Sequence, residues 1–413
     1  MEKVLLVKTY NHSQKEHLDA DIEEMRGLIS TAGGEIYAIA TQAKNAIDPV
    51  FYIGKGKVHE IAEKYSKNVD LVVFDANLKP VQIRNIEKII EKKIIDRTQL
   101  ILDIFAQRAH TREAILQVEY AQLNYLLPRL TGHGVELSRL GGGIGTRGPG
   151  ETKLEVDRRK IKKRIQKIKE ELEKIKEIRS QQRERRKEIP VPLISIVGYT
   201  NAGKTRLLNK LTNAGMLSED KLFATLDPKI KQYTLPNKYR VLFSDTVGFI
   251  KNLPPYLIAA FRATMEEVIE ADIIIHLVDI SRSDYAEQIE TVYEILKDIG
   301  AYEDKIIIDV YNKIDLFSEE AKRAMLMNKS TVYISAATGE GLETLVGKIG
   351  YLVEKEFIEK NIVIPYNKEK IVNMFYNEAV VLENKKTDEG TKLHIKCMKK
   401  TYEKYQKMLK EVQ

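Results

Sequence analysis

At 413 residues the chain is too long for one ordinary core and asks for two or three domains, while a hydrophobic share of 43% is enough to bury them. The formal net charge of +7 favours a polyanionic partner, either nucleic acid or an acidic membrane surface, and no apolar run approaches the roughly 18 residues needed to span a bilayer. Cys397 is the single cysteine, so an internal disulfide is excluded; with no signal-peptide core near Met1, the expected location is cytoplasmic.

In chain order, residues 4–8, 36–40 and 71–75 read as buried strands, with 92–96 a weaker fourth. Residues 14–31, 58–65 and 80–90 between them read as helices, the first with Ser13 as its cap. Strand–helix alternation of this kind implies a small parallel α/β domain over residues 1–97. A helical pattern then runs from Thr98 to Leu127, where Pro128 ends it. Leu140-Gly-Gly-Gly-Ile-Gly-Thr-Arg-Gly-Pro-Gly150 is a loop, because glycine and proline dominate it. A second long helix covers 151–187, and its apolar positions Leu154, Ile161, Ile165, Ile168, Leu172 and Ile175 keep a 3–4 spacing that makes a seam for one partner helix. The nearest partner is 98–127, giving an antiparallel helical hairpin over 98–188. An arm of 30 residues would extend about 45 Å, with the glycine loop at its tip.

Ile189-Pro-Val-Pro-Leu193 marks the next boundary, and 189–356 again alternates strand and helix. The last segment, 357–413, reads as a small α+β domain: a strand at 362–365, a helix at 368–376, strands at 379–383 and 392–396, and a helix from Thr401. No internal repeat is present.

The decisive motif is Gly198-Tyr199-Thr200-Asn201-Ala202-Gly203-Lys204-Thr205, with a strand before it and a helix from Arg206 after it. Its glycines let backbone N–H groups close around phosphate oxygens at the positive end of a helix. Lys204 adds a point charge at the β- and γ-phosphates, and the Thr205 hydroxyl suits Mg²⁺. Three further motifs follow in the order a GTPase needs. Val241-Leu-Phe-Ser-Asp245-Thr-Val-Gly248 ends a strand on a carboxylate suited to a water-mediated Mg²⁺ contact, and Gly248 can offer its N–H to a γ-phosphate. Asn312-Lys313-Ile-Asp315 places a carboxylate to accept two N–H bonds from guanine N1 and N2, a pair that adenine cannot supply. Ser335-Ala336-Ala337 closes the base pocket with a backbone N–H for guanine O6. Singly the last two are weak; in this order and spacing the four specify GTP. Between the first two motifs, Thr225 in Leu222-Phe-Ala-Thr225-Leu-Asp227 can complete the Mg²⁺ shell on a mobile loop. The residues expected to act on the reacting phosphate are Lys204, Thr225, Gly248 and Asn201, the last as a ligand for K⁺.

With their flanks, these residues resemble the HflX family of translation-factor-related GTPases. The resemblance is carried outside the nucleotide motifs by Tyr52-Ile-Gly-Lys-Gly-Lys57, Gln107-Arg-Ala-His-Thr-Arg-Glu-Ala114, Gln122-Leu-Asn-Tyr-Leu-Leu-Pro-Arg-Leu130, Gly141-Gly142-Gly143-Ile-Gly-Thr-Arg147-Gly-Pro-Gly-Glu-Thr-Lys153 and Phe261-Arg-Ala-Thr-Met-Glu-Glu267. It covers residues 52–337; after Phe357 no motif matches. The resemblance implies a cytoplasmic factor that binds the large ribosomal subunit, splits stalled or idle ribosomes under stress, and turns over GTP faster on the ribosome; the seam of 151–187, with a partner helix adjacent in sequence, reads as an intramolecular hairpin and the protein as a monomer. It also implies that the hairpin carries the glycine loop to ribosomal RNA. Gly141, Gly142 and Gly143 can lie against RNA, while Arg139, Arg147 and Lys153 can pair with phosphates. Two departures stand out. Arg206-Leu207-Leu208 follows Thr205 where a smaller polar residue and Leu-Phe are usual, and Asp227-Pro-Lys-Ile-Lys231 replaces the usual Thr-Thr-Arg.

Other features carry less. Gly54-Lys-Gly-Lys57 before a helix could bind a second anion, but a surface turn is the better reading. His276 lies in an apolar strand and reads as a packed core residue rather than a base, and the seven histidines form no metal-ligand spacing. Regulation of an RNA-modifying enzyme or ribosome assembly is the alternative function. A membrane-transport regulator is disfavoured by the missing spans.

Overall fold

The computed structural model describes residues 1–44, 46–132, 153–187, 191–212, 222–223, 229–251, 262–303, 305–328, 330–355 and 357–410. The chain forms two compact units. The first comprises Met1–Ile175 together with Glu219–Asp227 and Ile250–Thr264; the second comprises Lys176–Ser218, Pro228–Phe249 and Met265–Gln413. Two stretches that lie among the nucleotide motifs in sequence therefore fold as part of the first unit.

The first unit is built on strands β1 (Glu2–Tyr10), β2 (Gly34–Ala43), β3 (Leu71–Phe74) and β4 (Lys93–Asp96), all parallel in the order β2-β1-β3-β4. Leu71 to Phe74 are all buried, as expected of a strand covered on both faces. Helices α2 (Lys55–Tyr65) and α3 (Pro80–Ile90) cover the face that carries Leu5, Val7, Val72 and Phe74. Helix α1 (Leu18–Ala32) buries Met25, Leu28 and Ile29 and packs with α4 (Arg97–Arg108). Each such side chain, fully buried, contributes about 1.5–3 kcal/mol. Helix α1 begins later than the sequence suggests. His12–His17 form a 3₁₀ turn first, so Ser13 falls inside that turn and the position before Leu18 is His17.

The helical pattern read as continuous over 98–127 is broken. Helix α4 ends at Ala109, which is extended at φ −74° and ψ 113°, and α5 (Arg112–Leu126) starts afresh. Thr111 caps it, its hydroxyl accepting from the Ala114 N–H at 3.1 Å. The partner of α6 (Lys153–Lys187) is α5. Arg164 makes a bidentate pair with Glu119 at 2.6 and 2.5 Å, and Arg112 reaches Glu171 at 3.1 Å. The reversed order of those contacts makes the pair antiparallel, and Ile165 and Ile168 are buried on the seam. The tip residues Arg139, Gly141, Gly142, Gly143 and Arg147 lie outside the described residues. Lys153 is placed only as the first residue of α6.

The second unit carries a six-stranded sheet in the order β10-β9-β8-β5-β7-β6, from β5 (Leu193–Gly198), β6 (Lys229–Thr234), β7 (Arg240–Asp245), β8 (Ile273–Asp279), β9 (Ile306–Asn312) and β10 (Val332–Tyr333). Only the edge strand β6 runs antiparallel to its neighbour. Strand β8 is buried throughout, as its apolar run requires. Helices α7 (Lys204–Thr212), α8 (Arg262–Ile269), α9 (Tyr285–Asp298), α10 (Glu319–Met327) and α11 (Leu342–Lys355) accompany it, though α8 straddles the boundary between the units. Leu207, Leu208 and Ile349 sit fully buried in its core with Ile194, Ile196 and Phe243.

The same unit ends in an antiparallel sheet, β11 (Phe357–Ile364), β13 (Gly390–Met398) and β12 (Val380–Thr387), packed with α12 (Glu369–Glu378) and α13 (Lys399–Lys410). Phe375 and Tyr405 meet over its core with ring centroids 4.6 Å apart. Each element expected after residue 357 is present, with longer strands than the sequence suggested. Among the described residues, no helix is long and apolar enough to cross a membrane.

Candidate nucleotide-binding site

The phosphate-loop motif leaves β5 at Gly198 and enters α7 at Lys204, so its backbone wraps the carboxyl end of a central parallel strand at the start of a helix. That placement is where doubly wound sheets bind ligands. Asn201 holds φ at +62° and Gly203 at +96°. A Cβ on Gly203 would stand 2.6 Å from the Asn312 Nδ2, so no other residue fits there. Asn312 is the reason for the crowding. Its Nδ2 donates to the Ala202 carbonyl at 2.7 Å while its Oδ1 accepts from the Ala336 N–H at 2.9 Å. One buried side chain thus ties three of the motifs together: the phosphate loop, Asn-Lys-x-Asp and Ser-Ala-Ala.

Lys204 is buried, and its Nζ donates to the carbonyls of Gly198 at 3.1 Å and Tyr199 at 2.8 Å. Burial pushes its pKa down to about 8, against the opposing charge of Asp245. A group held this way gains from any anion brought beside it. Thr205 Oγ1 donates to Asp245 Oδ2 at 2.7 Å, bringing a hydroxyl and a carboxylate from α7 and β7 to one point. These are hard oxygen donors of the kind Mg²⁺ takes, so the pair fits that ion. Thr225, the third expected ligand, lies outside the described residues, and so does Asp227.

After Asp245, Thr246 anchors the turn by donating from Oγ1 to the Ile196 carbonyl at 2.7 Å. Gly248 then passes so close to the phosphate loop that a Cβ would meet Thr200 Cγ2 at 2.8 Å and Lys204 Nζ at 3.1 Å. The next residue, Phe249, has a side chain with neither donor nor acceptor. Its backbone in fact pairs with the phosphate loop: its N–H donates to Gly198 O at 3.1 Å and its carbonyl accepts from Thr200 N–H at 2.8 Å. Its ring is fully buried.

At the other end of the site, Lys313 adopts φ +69° and its Nζ reaches Asp279 Oδ2 at 2.6 Å. Asp315 Oδ1 accepts from the Ser335 hydroxyl at 2.6 Å. Ser335 in turn accepts from the Thr338 N–H at 3.1 Å, so the loop that starts at Ser335 is tied to the Asp315 carboxylate. Arg206, in the first turn of α7, is largely exposed, and its departure from the usual residue disturbs none of these contacts. His276 is buried, and its Nδ1 lies 2.8 Å from Asp309, which also accepts from Tyr293. It belongs to the packing of β8, β9 and α9.

The sequence matches four family models end to end. They are described as GTP-binding GTPase N-terminal over residues 19–106, GTP-binding GTPase Middle Region over 108–186, 50S ribosome-binding GTPase over 193–313 and HflX C-terminal domain over 320–412. It is 45% identical over 400 residues to GTPase HflX of Caldanaerobacter subterraneus subsp. tengcongensis, covering 96% of this chain and 91% of that one. It is 39% identical over 400 residues to GTPase HflX of Escherichia coli, covering 96% and 93%. Among solved structures it resembles a GTP-binding protein from the hyperthermophilic archaeon Sulfolobus solfataricus in complex with GDP, at 29% identity and a TM-score of 0.45, over 86% of this chain and 99% of that one.

Proposed function

Because the chain belongs to the HflX family of GTPases, we propose that it binds the large ribosomal subunit in its GTP form, separates stalled or idle ribosomes, and leaves after hydrolysis. The family is one of GTP-hydrolysing proteins; the ribosomal role, cytoplasmic location and link to stress are the proposal. The observation that carries the nucleotide part is Asn312, which joins the phosphate loop to both base-reading motifs. Support for the ribosomal part comes from the family description 50S ribosome-binding GTPase over 193–313 and from the basic helix α6, which follows the glycine-rich segment 141–150 in sequence.

In this reading Gly198 to Thr205 cradle the phosphates, and Lys204 neutralises charge that grows on the β- and γ-oxygens. Asp315 reads guanine N1 and N2. The Ala336 N–H is already spent on Asn312, so the next amide, Ala337, is the donor we assign to guanine O6. Thr205 and Asp245, with Thr225, would hold Mg²⁺, which when bound screens the phosphate oxygens. Gly248 offers its N–H to the γ-phosphate. Since Phe249 cannot orient water, we assign a second cation, K⁺ on Asn201, to the developing charge. Arg139, Gly141, Gly142, Gly143, Arg147 and Lys153 are assigned to ribosomal RNA.

Sedimentation of 70S ribosomes with the protein tests the splitting role. GTP or a non-hydrolysable analogue should shift material to free subunits, and GDP should not; an unchanged 70S peak in all three contradicts it. Regulation of RNA modification or ribosome assembly, the second reading, predicts binding to RNA or to assembly intermediates with intact 70S peaks.

A further inference from the structure

Buried polar atoms without a partner are rare in folded proteins, and one that persists calls for a ligand, an ion or a water. Among the described residues, the nucleotide motifs contain one such atom, the hydroxyl of Thr200. Thr200 is 7% exposed, and its backbone N–H is spent on the Phe249 carbonyl at 2.8 Å. The other buried polar side chains of these motifs are engaged. Lys204 holds two loop carbonyls, Thr205 donates to Asp245, and Thr246 donates to the Ile196 carbonyl. Asn312 uses both ends of its amide, and Ser335 is bonded to Asp315. The Ser244 hydroxyl faces that of Ser195 at 3.5 Å.

The place of Thr200 in the site gives that hydroxyl a use. A Cβ on Gly248 would stand 2.8 Å from Thr200 Cγ2, 2.9 Å from Thr200 Cα and 3.1 Å from Lys204 Nζ, so the three residues meet at one point. Gly248 and Lys204 are the groups assigned to the γ-phosphate, which puts Thr200 at the same end of the site. Tyr199 and Phe249 form a parallel bridge beside it, and the Thr200 N–H bonds the Phe249 carbonyl. Thr200 is thus tied to the residue that stands where Ras-type enzymes carry their water-orienting Gln. The buried Phe249 ring has neither donor nor acceptor for that task. A threonine hydroxyl has both, one proton to give and two lone pairs.

We propose that Thr200 is a catalytic residue of GTP hydrolysis: its hydroxyl accepts a hydrogen bond from the attacking water and aims that water at the γ-phosphorus. The proposal rests on the reading of the site as a GTPase centre with Gly248 at the γ-phosphate. In the step, the water oxygen bonds to the γ-phosphorus and the bond from that phosphorus to the β–γ bridging oxygen breaks. The bridging oxygen keeps the electron pair as GDP leaves. One water proton stays on the released phosphate and the other passes to solvent. Thr200 neither gains nor loses a proton; it orients, and the charge that grows on the phosphates is met by Lys204 and by cations. An acceptor with no protein partner is one for which the water has no competitor.

The test uses the full chain and the variants Thr200→Val and Thr200→Ser. Val keeps the methyl that meets Gly248 and lacks the hydroxyl, whereas Ser keeps the hydroxyl and lacks the methyl. Single-turnover hydrolysis of bound GTP is measured, with affinities for GDP and a non-hydrolysable GTP analogue from titration calorimetry. Thr200→Val should hydrolyse bound GTP roughly 10- to 100-fold more slowly than the parent while both affinities stay within about twofold. Thr200→Ser should lose less than about fivefold in rate. Because Val removes a buried hydroxyl that has no partner, it should also raise the melting temperature of the nucleotide-free protein by about 1–4 °C, which separates slow turnover from poor folding. Parental turnover in Thr200→Val overturns the proposal. A lower melting temperature does so too, since it would show the hydroxyl bonded within the fold. An equal loss of GDP and analogue binding would make the hydroxyl a support of the loop and overturn its catalytic role. A loss confined to the analogue, with the rate on bound GTP unchanged, would make it a ground-state contact and do the same. A Gly248→Ala variant that binds the analogue and GDP as the parent does would instead overturn the reading beneath it.

Discussion

Ser335 Oγ donates to Asp315 Oδ1 at 2.6 Å, so the closing loop fixes the rotamer of the carboxylate that we assign to guanine. One oxygen is held by the loop and the other is the one we assign to the base, which makes the proposed base selectivity a property of the pair. Replacing Asp315 by Asn should turn an acceptor into a donor and shift preference from guanine toward xanthine. Loss of the charge-assisted pair should cost about 1.5–3 kcal/mol of GTP binding. Competition between GTP and XTP checks this, and a variant that binds GTP as the parent does would remove Asp315 from base reading. Ser335→Ala should weaken GTP less, because it loosens the carboxylate without removing it.

The Lys204 pKa gives a pH dependence with a definite sign. Burial lowers it from 10.5 to about 8, so without added nucleotide the ammonium loses its proton through that range. Phosphates beside it favour the charged form, and binding therefore takes up a proton. GTP affinity should hold steady below pH 8 and be about tenfold weaker at pH 9. The same shift means that the unfolded chain binds more protons between pH 8 and 10.5, so this group makes the unliganded fold more stable as pH rises there. Calorimetry in buffers of different ionisation enthalpy reads the proton directly; zero uptake at pH 8.5 would contradict the account.

Much of the site was legible because each motif dictates a local backbone shape. A strand, six constrained residues and a helix follow from Gly198 to Thr205 wherever they occur, and Asn312, Asp315 and Ser335 are readable for the same reason. What was not legible is non-local. The edge strand β6 runs antiparallel, with only weak alternation in Lys229–Thr234 to mark it. The break between α4 and α5 contains neither glycine nor proline, and the apolar spacing carries straight across it; the one local signal was Thr111 as a cap. Arg97 reads as an ordinary basic residue near a helix start. Its partners Glu24 and Asp75 are 73 and 22 residues away, so only the order β2-β1-β3-β4 brings them together. The backbone pairing of Phe249 with the phosphate loop leaves no mark in side-chain chemistry at all.

Phe249 also shapes the expectation for hydrolysis. Ras-type enzymes place a water-orienting Gln directly after the glycine of Asp-x-x-Gly, and here that position is a buried phenyl ring. Charge growing between the β- and γ-phosphates then needs a cation from elsewhere. Asn201, exposed and held at φ +62° in the phosphate loop, offers a carbonyl oxygen for K⁺. Basal turnover should be slow and faster in KCl than in NaCl at equal ionic strength. Equal rates in the two salts would sink the idea, and a K⁺ advantage that survives Asn201→Ala would place the ion on other ligands.

The glycine loop should act on the partner and leave the nucleotide alone. Deleting residues 141–150 should keep GTP and GDP affinities within about twofold of the parent, since the segment supplies none of the residues assigned to the nucleotide. The same deletion should abolish any acceleration of turnover by ribosomes. A deletion variant that retains full acceleration would take the loop out of the mechanism.

In the proposed function the GTP cycle is completed on the large ribosomal subunit. The most direct test is steady-state GTP turnover by the full chain as purified large subunits are added at constant salt and K⁺. The account predicts a saturable rise in kcat with large subunits and a much smaller one with small subunits. A rate that stays at its basal value while the protein demonstrably binds GTP would contradict it.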